Sequence, residues 1–159
     1  MSASASALWL PPPDSNQFFH SSRNDLSRPS LQKSSSRESE KKQCALIVDD
    51  ASDVTEMLFV LLTHAGYEVV TAESARAAIA AARQRHFDII ISDIGMPEMN
   101  GYELARVLRT LPGYEAVPMV AVTGYSMFDD RERSLKSGFN AHMTKPIEPR
   151  ALLDLIEQL

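Results

Sequence analysis

From Cys44 onward, apolar runs of strand length alternate with segments whose apolar positions recur at helical spacing. That rhythm is the βαβα pattern of a parallel sheet covered by helices on both faces. It predicts strands at 45–48, 68–71, 87–92, 118–122 and 141–144, and helices at 52–65, 75–84, 102–110, 128–137 and from 149 to the chain end. The helix boundaries have local causes. Gly66 stands at the C′ position that favours positive φ, and Ser74 is placed to cap an alanine-rich helix. Pro112-Gly113 stops the third helix and Gly138 the fourth. With right-handed crossovers the fold class is α/β, a doubly wound sheet of five parallel strands.

The first 43 residues have no such periodicity. They are rich in serine, contain Pro11-Pro12-Pro13 and Pro29, and cannot bury enough apolar surface to offset the entropy of ordering. The expectation is a disordered tail at 1–43 and one folded domain at 44–159. Short apolar spots at Leu8-Trp9-Leu10 and Phe18-Phe19 are incidental or serve as docking anchors.

Composition narrows the function. With 44% apolar and 23% charged residues, a chain of 159 residues can build a real core. Its charge is uneven, +2 over residues 1–43 and −7 over 44–159. An acidic domain without a basic stripe argues against direct nucleic-acid binding. No run approaches the roughly 18 apolar residues of a membrane helix, and the start lacks a basic n-region and a long apolar h-region. Cys44 is the only cysteine, which excludes an intrachain disulfide and fits a reducing, cytoplasmic location. No Cys-x-x-Cys or His-Glu-x-x-His pairing supports zinc.

Chemistry collects at the carboxyl ends of the strands. Asp49 and Asp50 follow the first, Asp93 the third, Thr123 the fourth and Lys145 the fifth. In an open α/β sheet ligands bind outside those ends, where the strand order reverses. Three carboxylates, a hydroxyl and an ammonium suit a hard divalent cation holding a phosphoryl group. Singly, each residue is more often a cap or turn residue. Independent caps and turns, however, have no reason to place an acceptor, a metal site and a cation along one edge.

These motifs, Val48-Asp49-Asp50, Ser92-Asp93-Ile94-Gly95-Met96-Pro97, Thr123-Gly124 and Lys145-Pro146, resemble those of the receiver domains of two-component response regulators. The resemblance covers about residues 44–159, and the successive spacings from Asp50 to Asp93, Thr123 and Lys145 are 43, 30 and 22 residues. It implies a flavodoxin-like (βα)5 domain with strand order 2-1-3-4-5. It further implies that Asp93 is the phosphoacceptor, taking its phosphoryl group from the phosphohistidine of a sensor histidine kinase or histidine phosphotransfer protein. Mg²⁺ would be held by Asp50, Asp93 and the Gly95 carbonyl, with Asp49 acting through water. Thr123, Lys145 and the Gly124 N–H would meet the phosphoryl oxygens. Output would pass to a downstream protein through helix 4, strand 5 and helix 5, with Tyr125, Phe128 and Ile147 as contacts.

The chain departs from the family at His142, where strand 5 often carries a tyrosine or phenylalanine that reports phosphorylation. His142 either rotates in that role or is a packed or exposed strand histidine. Tyr125, two residues after Thr123, is bulky and Gly95, two after Asp93, blocks nothing, so both bear on the path of attacking water. Two other classes of function fit the motifs less well. A haloacid-dehalogenase-type phosphatase would have Asp-x-Asp after its first strand, whereas this chain has Asp49-Asp50. A flavodoxin-like electron carrier would have its ligand phosphate repelled by that same pair. The chain also reads as a module of a hybrid histidine kinase.

Overall fold

A run such as Ile89-Ile90-Ile91 is stable as a strand only where helices cover both of its faces. In the computed structural model, which describes residues 41–124 and 128–159 and only the backbone of 128–130, that is where it lies. The central strands β1 (Cys44–Val48), β3 (Ile89–Asp93) and β4 (Met119–Thr123) are buried throughout. The outer strands β2 (Glu68–Ala72) and β5 (Ala141–Thr144) are half-exposed. All pairings are parallel in the order β2-β1-β3-β4-β5, so the order reverses between β1 and β3. The order implied by resemblance is the one observed. The tail expected at 1–43 falls outside the described residues except for its last three.

Alternation along the strands divides the core. Leu46, Val48, Ile90, Met119 and Ala121 point to one face, where they meet Ala78 and Ala82 of α2 (Ala75–Gln84) and Leu104 and Leu108 of α3 (Gly101–Arg109). Ala45, Ile47, Ile91, Val120 and Val122 point to the other. There they meet Leu58 and Leu62 of α1 (Ser52–His64) and Leu152 and Ile156 of α5 (Pro149–Glu157). Each fully buried aliphatic side chain contributes roughly 2 kcal/mol relative to exposure. The remaining helix, α4 (Phe128–Lys136), contacts β5. No helix among the described residues is long and apolar enough to cross a membrane.

Caps set the helix starts. Ser74 Oγ accepts from the Ala77 N–H, as its position suggested. Asn100 and Glu103 form a reciprocal capping box at α3, and Glu148 accepts from the first N–H groups of α5, with Pro149 at its start. Gly66 adopts φ +96° after α1 and Gly138 φ +107° after α4. β3 begins two residues later than the apolar pattern suggested. The Phe87 N–H donates to the Tyr114 hydroxyl at 3.2 Å instead of entering the ladder.

Candidate functional site

At the reversal point, β1 and β3 bring Asp49, Asp50 and Asp93 together. Their nearest carboxylate oxygens all lie within 4.8 Å of one another. Asp49 and Asp93 are buried and Asp50 is exposed. The loop after β5 adds Lys145, whose backbone N–H donates to the Thr123 carbonyl at 2.7 Å. Its ammonium donates to Asp49 Oδ2 at 2.9 Å and lies 3.0 Å from Asp93 Oδ1. The other Asp49 oxygen accepts from the Ala51 N–H at 2.8 Å, which fixes that carboxylate just before α1. Thr123, the last residue of β4, is buried, and Asp93 stands opposite Val122 in the ladder, one residue short of it.

Burial pushes the Asp93 carboxyl above the usual carboxylate range. The Lys145 ammonium and the Gly95 N–H oppose that rise, and the Asp49 charge adds to it. Burial by itself would lower the Lys145 value. Its hydrogen bonds to Asp49 and Asp93 outweigh that, leaving the ammonium above the ordinary lysine range. The cluster is thus an oxygen-rich pocket with more negative charge than its one lysine neutralises. Such a donor set fits a hard divalent cation.

The structure brings Asp49, Asp50, Asp93, Thr123 and Lys145 to one edge. Gly124 is exposed there, and a Cβ added to it would meet nothing within 4 Å, so its backbone is open to a ligand. At Gly95 a Cβ would stand 3.4 Å from Asp93 Oδ2, which places that backbone close against the Asp93 carboxylate. Ile147 is half-buried and lines a cleft with Asp53, Val54 and Met57 of α1, beside Lys145 and Pro146. Tyr125 and the side chain of Phe128 lie outside the described residues. His142 is half-buried on β5, and its Nδ1 lies 3.1 Å from Oγ of Ser134, a fully buried α4 serine. Sequence reasoning overlooked Ser134, since a serine on a polar helix carries no signal until its partner strand is known.

Fold and site together define a flavodoxin-like domain with a lysine-bridged aspartate cluster at its switch point. The chain belongs to the response regulator receiver domain family, whose model matches residues 45–157. It is 38% identical over 113 residues to an uncharacterized 14.6 kDa protein of Leptolyngbya boryana, covering 71% of this chain and 86% of that one. It is 31% identical to the polar-differentiation response regulator DivK of Brucella ovis, covering 70% of this chain and 91% of that protein. It is also 31% identical to the signal transduction histidine-protein kinase BarA of Escherichia coli K12, covering 75% of this chain and 13% of BarA. Among solved structures, the chemotaxis response regulator CheY4 of Vibrio cholerae superposes with a TM-score of 0.70 at 32% identity, over 74% of this chain and 98% of that one. The receiver domain of sensor histidine kinase PA1611 from Pseudomonas aeruginosa, solved with a magnesium ion in its active site cleft, gives 0.68 at 26%, over 74% and 96%.

Proposed function

We propose that Asp93 accepts a phosphoryl group from a protein phosphohistidine, and that the acyl phosphate so formed switches the domain between signalling states. The buried Asp93 carboxylate, held between Lys145 and the Asp49-Asp50 pair, is the observation that carries this reading. An Asp93 oxygen attacks phosphorus, a P–O bond forms as the P–N bond breaks, and the imidazole departs with that electron pair. Repulsion between two anions opposes the attack. Asp50, Asp93 and the Gly95 carbonyl would hold Mg²⁺, with Asp49 acting through water, and the ion would supply the charge that offsets this repulsion. Lys145 would turn from Asp93 Oδ1 to a phosphoryl oxygen while keeping Asp49. Thr123 and the open Gly124 N–H would donate to the remaining oxygens.

The domain on this reading is a switch with at most weak self-catalysed phosphorylation and dephosphorylation, acting in the cytoplasm. Its donor would be a sensor histidine kinase or phosphotransfer protein, and its output face α4, β5 and α5. The hydrogen bond between His142 and Ser134 supports that face, because it ties β5 to α4. The match to 13% of BarA supports a second context, the receiver module of a hybrid histidine kinase. Transfer of label from a purified phosphorylated donor to the parent chain, but not to Asp93→Asn, tests the assignment. Equal labelling of the two would overturn it.

A further inference from the structure

We propose that Ser92 and Gly101 are positioning residues that hold the Asp93-Ile94 peptide and, through it, the acceptor carboxylate and the Gly95 backbone above it. The inference rests on Asp93 being the acceptor. The fixed peptide itself is independent of that reading.

Three contacts converge on this one peptide plane. Ser92, almost fully buried, donates its hydroxyl to the Asp93 carbonyl at 2.9 Å. The Ile94 N–H, on the other side of the same plane, donates to the Val122 carbonyl at 2.8 Å. Against the Asp93 carbonyl stands Gly101, the first residue of α3. A Cβ added there would lie 2.4 Å from the Asp93 oxygen, 2.9 Å from Ile94 Cα and 3.0 Å from Ile94 Cδ1. The two tightest obstacles are backbone atoms, which cannot step aside as a side-chain tip can.

Conformation does not explain this glycine. The glycines with positive φ are Gly66, Gly113 and Gly138, and helix propensity favours alanine over glycine at ordinary helical positions. Close approach does explain it, because only a residue without Cβ lets the α3 start touch the strand end. The Gly101 N–H also donates to the Ile94 carbonyl at 3.0 Å, closing the loop from 94 to 101. That loop carries Gly95, whose backbone lies against the Asp93 carboxylate, since a Cβ added there would stand 3.4 Å from Asp93 Oδ2. Moving the α3 start would therefore turn the acceptor and shift Gly95 together. Reactive geometry tolerates little of this, since a displacement of about 1 Å can cost on the order of a hundredfold in rate.

The test uses the full chain as parent, Gly101→Ala and Ser92→Ala. Backbone amide NMR of Ile94 and Gly95 is recorded without metal, Mg²⁺ is titrated into each protein, and labelling by acetyl phosphate is timed. In Gly101→Ala the Ile94 and Gly95 signals should move, Mg²⁺ affinity should fall about tenfold and labelling about tenfold or more. Ser92→Ala should move the same signals and lower both quantities by a smaller factor, about threefold. A role confined to packing α3 would lower the melting temperature and leave Mg²⁺ affinity and the labelling rate of folded protein unchanged. That result overturns the inference while leaving the acceptor intact. If Gly101→Ala does not fold, Ser92→Ala decides, and unchanged amide signals and labelling there overturn it as well. A parent that takes no label overturns both readings.

Discussion

Lys145 and Asp49, separated by 96 residues in the chain, meet at 2.9 Å in the carboxylate cluster. The lysine therefore holds a place that a divalent cation would contest, since both draw on Asp49 and Asp93. Lys145→Met leaves two buried carboxylates facing each other without their partner. Removing one member of a buried pair costs about 3–5 kcal/mol, and the partly exposed lysine puts this case lower, at about 2 kcal/mol. Urea unfolding without metal should show that loss. A Mg²⁺ titration followed by melting temperature should show a larger rise in the variant than in the parent.

Asp50 and Asp49 should separate in their effects because one is exposed and the other buried. Asp50→Ala should abolish most of the Mg²⁺-dependent rise in melting temperature while leaving metal-free stability unchanged or slightly higher, by relief of like-charge repulsion. Asp49→Ala removes the acceptor of both the Ala51 N–H and the Lys145 ammonium, so it should also lower metal-free stability, by about 1–3 kcal/mol. A thermal melt of each variant with and without Mg²⁺ reads both effects. Equal metal-free stability in the two would contradict the geometry.

Asp93→Asn should accept no phosphoryl group from acetyl phosphate or from a phosphorylated donor, since the amide is not a competent nucleophile. Circular dichroism should show the fold retained, because asparagine has nearly the shape of aspartate. Mass spectrometry of the labelled chain should place the added phosphoryl group of the parent on Asp93.

Arg109 should prove one of the most stabilising side chains outside the site. Its guanidinium donates to the carbonyls of Tyr114 and Val117 at 2.7 Å each, to Gly138 at 2.9 and 2.6 Å, and to Asn140 Oδ1 at 2.8 Å. Those bonds tie the end of α3 to the segments entering β4 and β5. Arg109→Ala strands several part-buried acceptors and should cost about 3 kcal/mol. Arg109→Lys should recover only part of that loss, because an ammonium cannot reproduce the planar fork. Denaturant midpoints of the two variants check the order.

The ten elements were legible in the sequence because strand and helix periods are local, written in runs such as Ile89-Ile90-Ile91, in the cap at Ser74 and in the stop at Gly66. The strand-end positions of Asp49, Asp50, Asp93, Thr123 and Lys145 were legible for the same reason, once parallel strands put every carboxyl end on one edge. Strand order came from resemblance and not from pattern, since periodicity says which residues are buried and nothing about which strand lies beside which. Tertiary structure alone decided what pairs with what. It set Lys145 between Asp49 and Asp93, brought Ser134 to His142, gathered the acceptors of Arg109 and pressed Gly101 against the Asp93 carbonyl. Lys145 and Asp49 stand 96 residues apart, and even the pairs closer in sequence, Ser134 with His142 and Gly101 with Asp93, lie on different elements, so these contacts depend on the register and packing of whole elements, which no local spacing encodes.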